Sequence, residues 1–424
     1  MNKRILASAV IASLASAPAM ATNGYFSHAF GSKSAGMAGA GSVFSKEALV
    51  GATNPASISR VNNRVDFGIQ FFEPDREATI NVTTPSATQG AQGGNGTYDL
   101  NDIENFLMPE FGYVKRLNDK VTAGFLMYGN GGMNTRSKSA IYNGTGTKTG
   151  VDLKQLFISP TISWDINEKN SVGVSLNIAY QMFEAYGMGQ FAGFTPSGTA
   201  NNLSDLGHDE SYGLGATIGW TGQVTDSLTL GVAYHSRTYM EEFDAYKELF
   251  AEQGDFDIPA NWTLGLAFQA TPKLNVAFDI QHIYYSDVKS LNNPNNMTAA
   301  NTQLGNDDGK GFGWDDMTIY KLGLEYQATD KLALRAGISH GEQPIGSDDT
   351  NFNVIAPAVI EDHATIGFTY TFSSGNEVTG YYMHAFENSV SGTGAHSHTG
   401  GGNTAQEIKM NQNAFGVAYS WMLD

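Results

Sequence analysis

The sequence predicts an all-β chain: a 14-stranded antiparallel transmembrane β-barrel of an outer membrane, with a plug ahead of its first strand. Three observations predict it. Apolar and polar residues alternate with period two over most of the chain after residue 63. Short and long connections follow one another in turn, and aromatic residues recur at the same end of alternate segments. Composition agrees. The mean hydropathy is only −0.25, yet the chain holds 24 Phe, 19 Tyr and 5 Trp. Such a mixture suits a barrel, in which only every second strand residue meets lipid.

The N-terminus reads as a leader spanning 1–21. Lys3 and Arg4 precede the apolar run "ILASAVIASLASA", and Ala19-Met20-Ala21 supplies a small-x-small cleavage site, so the mature chain is expected to begin at Thr22. Elsewhere no window approaches the ~20 apolar residues of a membrane helix. Cysteine is absent, which is neutral for a fold held by a closed hydrogen-bond network. A formal charge of −18 argues against nucleic acid as a partner.

Residues 22–63 do not alternate and are expected to form the plug, with the barrel over 64–424. Gly36, Gly39 and Gly41 crowd the stretch "GSKSAGMAGAG", a short helix is expected near 45–50, and "NPASISR" opens a turn with Asn54-Pro55 as breaker. A phosphate-cradling reading of these glycines needs a preceding strand and a following helix, and neither is present.

Fourteen alternating segments follow, at 64–72, 108–117, 119–129, 153–165, 169–183, 209–223, 226–240, 257–270, 272–285, 315–328, 330–342, 359–373, 376–387 and 407–422. In "NSVGVSLNIAYQ" the set Val172, Val174, Leu176, Ile178 and Tyr180 alternates with Ser171, Gly173, Ser175, Asn177 and Ala179. Segments this long can cross a bilayer at a tilt, and an even number lets an antiparallel barrel close. Short links such as "ND", "DINEKN" and "SSGN" follow the even segments and long links follow the odd ones. Short turns belong in the periplasm, so the first strand is expected to run outward. Trp164, Trp220, Phe268, Tyr326, Phe372 and Trp421 then fall at the periplasmic end as an interfacial girdle. A soluble β-sandwich offers no reason for that placement.

The Gly/Ala-rich stretch, "NPA" at Asn54-Pro55-Ala56 and the fourteen-strand pattern together resemble the FadL family of outer-membrane transporters for long-chain fatty acids and other hydrophobic compounds. The likeness extends to "DIPANWTLGLAFQ" (257–269), "LRAGISHGEQPI" (334–345) and "IAPAVIEDHATIGFTYTF" (355–372), and spans essentially the whole mature chain. It implies that the N-terminal segment is a hatch inside the barrel, that Asn54 with Pro55 and Ala56 holds it in place, and that the glycines at 36, 39 and 41 let backbone pass close to the wall. It also implies capture of a hydrophobe by outer loops, a lumen pocket, and sideways exit through a gap in the wall at a kink in the third strand. Here that strand runs into "YGNGGMN", where Gly129, Gly131 and Gly132 permit a bulge, although the proline-bearing pattern expected just beyond is missing.

Candidates for the other steps can be named. After the fifth strand, "MFEAYGMGQFAGF" places Met182, Phe183, Tyr186, Met188, Phe191 and Phe194 beyond the expected membrane boundary. Exposed apolar clusters of that kind mark binding surfaces. After the seventh, Phe243, Tyr246, Leu249 and Phe250 stand at near-helical spacing on an expected short amphipathic helix. The alternative is that these residues pack loop on loop. For a carboxylate-bearing cargo, Lys321 and Arg335 have inward parity, as does Arg116, but so do Asp66, Asp279 and Glu325, and lumen ion pairs are the plainer account.

Catalysis is not expected. His235 and His363 have inward parity, and His208 and His340 lie near loop bases, but proximity in sequence makes no triad. The "HSH" at 396–398 reads as loop rather than a metal site, and neither cofactor nor metal is expected. Acidic loops offer weak ligands for the divalent cations that bridge lipopolysaccharide. The expected partners are thus a hydrophobic small molecule and outer-membrane lipid, and no feature calls for more than one chain. The main rival is a general porin for small polar solutes, which would have no plug; alkanes or aromatic hydrocarbons are alternative cargoes. The chain ends on "YSWMLD" where barrels commonly end on an aromatic, so Trp421 is the candidate for recognition by the assembly machinery.

Overall fold

Alternation in the sequence becomes a closed wall in the computed structural model, which describes residues 23–82, 96–141, 148–295, 302–392 and 404–424. The expected leader and the His-Ser-His motif at 396–398 lie outside the described residues. Fourteen strands build the wall: β1 (Arg64–Val82), β2 (Phe106–Arg116), β3 (Val121–Arg136), β4 (Gly150–Asp165), β5 (Asn170–Tyr186), β6 (Asp209–Thr225), β7 (Leu228–His235), β8 (Asn261–Thr271), β9 (Leu274–Ile283), β10 (Met317–Thr329), β11 (Leu332–Gly341), β12 (Asp362–Thr371), β13 (Glu377–Gly392) and β14 (Thr404–Met422). Each pairs antiparallel with its sequence neighbours, and β14 pairs with β1 from Arg64↔Met422 to Val82↔Thr404. Closure leaves no free sheet edge at the seam, which is what allows a sheet to stand in lipid.

The burial pattern is inverted relative to a soluble protein. Val174, Leu176 and Ile178 on β5 are exposed, while Ser175 and Asn177 between them are buried. Buried polar groups line the interior and bond between neighbouring strands, as where Asn177 Nδ2 on β5 donates to Thr217 Oγ1 on β6 (2.8 Å). At the end with short turns, Trp164, Phe268, Tyr326, Phe372 and Trp421 are exposed on the outer face. Trp220 is half-buried because its ring lies over Gly222, where a Cβ would come within 2.3 Å of it.

Several strands differ from their expected bounds, β3 running on to Arg136 and β13 to Gly392, and two departures have a plain cause. β1 runs ten residues past 72, because Glu73, Asp75 and Glu77 replace apolar residues at outward positions once the strand has risen above the apolar band, hiding the alternation. β7 leaves the wall at His235, and Tyr239–Met240 pairs instead with β6 at Leu214 and Gly213.

Residues 23–63 fill the lumen. They form α1 (Ser32–Ala35), α2 (Val50–Thr53) and a 3-10 helix at Pro55–Arg60, so the helix expected near 45–50 starts at Val50. This hatch passes the wall at van der Waals distance. A Cβ on Gly337 would lie 2.3 Å from the Met37 carbonyl carbon, and one on Gly36 would lie 3.3 Å from Gly367 Cα. Gly39 and Gly41 take φ of +78° and +106°, a region open to glycine at little cost.

Candidate functional site

Irregular backbone inside a barrel has many N–H groups and few strand partners, and carboxylates from the wall meet them. Asp279 on β9 accepts from the main-chain N–H of Gly41 (3.0 Å) and Ser42 (2.9 Å) and from the Ser42 hydroxyl (3.1 Å). Asp66 on β1 accepts from Ala48 N–H (2.6 Å), and Glu110 on β2 from Gly31 N–H (3.1 Å). Within the hatch, Glu47 accepts from the N–H groups of Lys33 and Ser34, both at 2.9 Å. Such charge-assisted bonds are shorter and stronger than neutral ones. Ion pairs complete the anchor: Glu377 Oε2 on β13 receives Lys33 Nζ (2.7 Å) and Arg64 Nη2 (2.9 Å), and Arg64 Nε meets Asp66 (2.7 Å).

The Asn54-Pro55-Ala56 turn sits against β4 to β7. Asn54 Oδ1 accepts from Ala56 N–H (3.1 Å), capping the 3-10 helix, and its Nδ2 donates to the Trp220 carbonyl (3.1 Å). Pro55 occupies the first helical position, where a missing N–H is harmless. The Ala56 carbonyl accepts from Ser163 Oγ (3.1 Å).

The wall is broken between β2 and β3. Their ladder runs from Arg116↔Thr122 to Phe111↔Met127 and stops, while Phe106–Glu110 continues on β1 and β3 continues on β4 to Arg136, whose free side is met by Leu100 and Asp102 of the β1–β2 connection. A bulge lies just beyond the parting: Gly129 faces Leu156 and Gly131 faces Gln155, leaving Asn130 as the extra residue. From the inside, the start of the hatch takes the vacated edge. Gly132 N–H donates to the Tyr25 carbonyl (2.9 Å), Ser27 N–H to the Asn130 carbonyl (2.8 Å), and Ser27 Oγ to the Gly129 carbonyl (3.1 Å). Only glycine fits here, since a Cβ on Gly131 would lie 2.0 Å from the Tyr25 oxygen. The expected kink in this strand thus has a bulge at the same glycines, and β3 holds no proline.

Above the lumen the outer loops form an aromatic core. Phe183, Phe243, Tyr246 and Phe250 are each no more than 2% exposed, with Phe183 4.7–5.6 Å from the other three rings, centroid to centroid. Met188 and Leu249 are buried with them, and Met182 and Tyr186 are half-buried on β5. The expected exposed surface is therefore corrected: loop packs on loop, because aromatic area of this size is better removed from water than left in it. The expected amphipathic helix is reduced to a 3-10 turn at Asp244–Tyr246, with Phe250 already extended. Phe191 and Phe194 behave differently. With Leu304, Phe352, Asn295 and Lys310 they line a crevice of about 20 Å³. Burial brings the Lys310 ammonium down to about 8.

The two inward cations lie on opposite sides of the hatch. Lys321 Nζ donates to the His28 carbonyl (3.1 Å) and Gln281 Oε1 (2.9 Å), beside a lumen chamber of about 20 Å³ that Phe26, Tyr128, Asn130, His235 and Thr263 also line. That is room for about one water. Arg335 faces the periplasmic mouth, paired with Glu325 (2.5 Å) and Thr369 (2.7 Å), so it and Lys321 do not form one lumen site. Arg116, at the same end, pairs with Asp165. Among the histidines, His235 Nε2 meets the Thr53 carbonyl (3.0 Å), and His363 Nδ1 lies 3.2 Å from Ser339 Oγ. His363 Nε2 has no partner, so no carboxylate orients that ring as a triad requires.

Sequence reasoning missed Glu47, Glu110, Glu377, Lys33 and the Tyr25–Ser27 edge. Parity marked the inward face of each strand, but it carries no signal for which hatch atom a carboxylate will meet.

Comparison with known proteins gives a consistent result. A family described as outer membrane protein transport protein (OMPP1/FadL/TodX) matches residues 8–422. Outer membrane protein P1 of Haemophilus influenzae is 23% identical over 409 residues, covering 85% of this chain and 86% of that protein. The fold is similar to that of a Pseudomonas aeruginosa FadL homologue, with a TM-score of 0.73 at 17% identity, covering 95% of this chain and all of that one. It is similar too to the P. putida toluene transporter TodX, with a TM-score of 0.67 at 18% identity, covering 93% and 99%.

Proposed function

We propose a cargo route from the premise that this chain belongs to the OMPP1/FadL/TodX family of outer membrane transport proteins. It is an outer-membrane transporter of hydrophobic compounds, in a family of transport proteins rather than enzymes. The finer reading is passive uptake of long-chain fatty acids by loop capture, lumen binding and lateral exit into the bilayer.

The observation that carries this reading is the parting of β2 from β3. A pore for polar solutes gains nothing from a break that faces lipid. A hydrophobe does, because leaving sideways keeps its apolar surface out of water, at about 25 cal/mol per Å². In the structure the hatch edge Tyr25–Ser27 occupies the break, so passage requires that edge to shift. Capture would begin at the Phe191–Phe194 crevice, where Lys310 supplies a cation for a head group, and the chamber beside Lys321 would hold the carboxylate inside. The chamber's small volume then describes a resting state that expands as the hatch edge moves.

The test is uptake of labelled oleate by Gram-negative cells lacking their own fatty acid transporter, with and without this protein. Restored uptake supports the reading. A folded barrel that passes toluene but not oleate would transfer the route to aromatic hydrocarbons, the cargo named for TodX. Free passage of small sugars would favour a general porin.

A further inference from the structure

Below the hatch, the periplasmic mouth opens into a vestibule of about 570 Å³. Only two of its lining residues, Ala333 and Met422, are apolar. Five cations, Lys33, Lys46, Arg60, Arg64 and Arg335, face three carboxylates, Glu325, Asp330 and Glu377. This local excess runs against a chain whose formal charge is −18.

Two of the carboxylates are already engaged. Glu377 is shared between Lys33 and Arg64, and Glu325 is paired with Arg335. Arg335 has a further donor in reserve. It is 6% exposed, its two terminal nitrogens bond to Thr369 and Glu325, and its Nε has no partner. A buried N–H left without an acceptor is costly, and native structures tolerate few. Lys46 and Arg60 stand at the exposed rim, where Arg60 Nη2 donates to the Lys169 carbonyl (2.7 Å).

We propose that this vestibule binds a small hydrophilic oxyanion, a carboxylate or phosphate group without an alkyl tail, entering from the periplasm. The chemistry selects against the hydrophobic cargo, since an alkyl chain here would find almost no apolar wall. The proposal does not depend on which hydrophobe the barrel carries. Its consequence is mechanical. Lys33, Lys46 and Arg60 belong to the hatch, whereas Arg64 and Arg335 belong to the wall, so one anion held by both sets ties plug to barrel. A ligand that binds only the seated hatch stabilises that state by mass action.

The test is a titration of purified full-length protein, in zwitterionic detergent, with inorganic phosphate against sodium chloride of equal ionic strength, read by calorimetry and by trypsin cleavage of the hatch. The expected result is saturable one-site binding, slower hatch cleavage with phosphate, and at least tenfold weaker binding in K46Q/R60Q. Both of those side chains are at the rim, so that variant keeps its fold; Arg335→Lys tests the buried donor and is expected to weaken binding severalfold. No saturable heat beyond the chloride control overturns the proposal, as does unchanged affinity in K46Q/R60Q, which would mean a diffuse ion atmosphere. Octanoate binding more tightly than acetate overturns the hydrophilic assignment and makes the vestibule an exit for tail-bearing cargo.

Discussion

Ser42 and Asp279, 237 residues apart in sequence, are joined twice: the carboxylate of Asp279 accepts from both the main-chain N–H and the hydroxyl of Ser42. The same carboxylate takes Gly41 N–H, so one wall residue satisfies three donors of the hatch. Asp279→Ala leaves those donors without an acceptor in a buried place. The expected cost is about 3 kcal/mol against the seated hatch, at about 1–3 kcal/mol for each unmet group with partial relaxation. Single-channel recordings should show raised conductance to small ions, and Asp279→Asn should lie between wild type and Ala. A closed Asp279→Ala channel would mean that the other carboxylates suffice.

Asn54→Ala removes a helix cap and a bond to the wall at Trp220. Loss of an N-cap side chain costs about 1 kcal/mol. The expected outcome is a smaller leak than in Asp279→Ala, with barrel melting unchanged. Conductance equal to wild type would remove Asn54 from the set of anchors.

Gly131→Val places a side chain where the Tyr25 carbonyl now lies. The hatch edge should be displaced from β3, making the backbone near Tyr25 newly open to proteolysis, and oleate uptake should change with it. Uptake that stays at the wild-type level while the N-terminus is freely cleaved would show that cargo does not pass the break between β2 and β3.

Phe183→Asp with Phe243→Asp would bury two carboxylates in a ring cluster, at several kcal/mol each even after relaxation. Loops 187–208 and 236–260 should become sensitive to protease while the barrel keeps its resistance to detergent at room temperature. Phe194→Asp, at a half-buried edge of the crevice, should spare the loops and slow uptake at low cargo concentration. If Phe194→Asp takes up oleate normally, capture lies elsewhere.

Asp255, in the loop after β7, is pushed up to about 7 by burial first and by the neighbouring Asp257 second, with Arg237 opposing and Glu252 adding a little. Between the usual carboxylate range and pH 7 the folded loop therefore holds a proton that an unfolded one has released. By linkage this group favours the folded loop on the acid side, and its contribution is lost as pH rises through about 7. Amide exchange across 251–258 should speed up from pH 5 to 8 after correction for intrinsic rates, and Asp255→Asn should flatten the trend. An equal trend in the variant assigns it to another group.

The wall was legible because a barrel writes itself in period two: Val172 to Tyr180 and Leu274 to Ile280 each announce a strand, and Trp164 and Trp421 announce an interface. Legibility fell where that rule is relaxed. Above the apolar band, Glu73 and Asp75 continue β1 in a pattern that no longer looks amphipathic. Phe183 and Phe243 read as greasy wherever they lie, and only the fold decides that they face each other instead of solvent. The hatch was legible as an interruption, with Asn54-Pro55 as its punctuation. The bonds from Asp279 to Ser42 or from Glu377 to Lys33 were not, because residues so far apart in the chain leave no local trace of their pairing.

Arg64 begins the first strand opposite Met422 at the end of the last, and the same side chain reaches Asp66, Glu377 and the carbonyl of Lys46. The zip of the cylinder and the seating of its cork therefore share a residue. A cylinder zipped around an empty bore would leave that guanidinium without the Lys46 carbonyl, and Glu377 without Lys33. Seam and cork therefore stabilise each other in the finished barrel: loosening either one removes partners from the other.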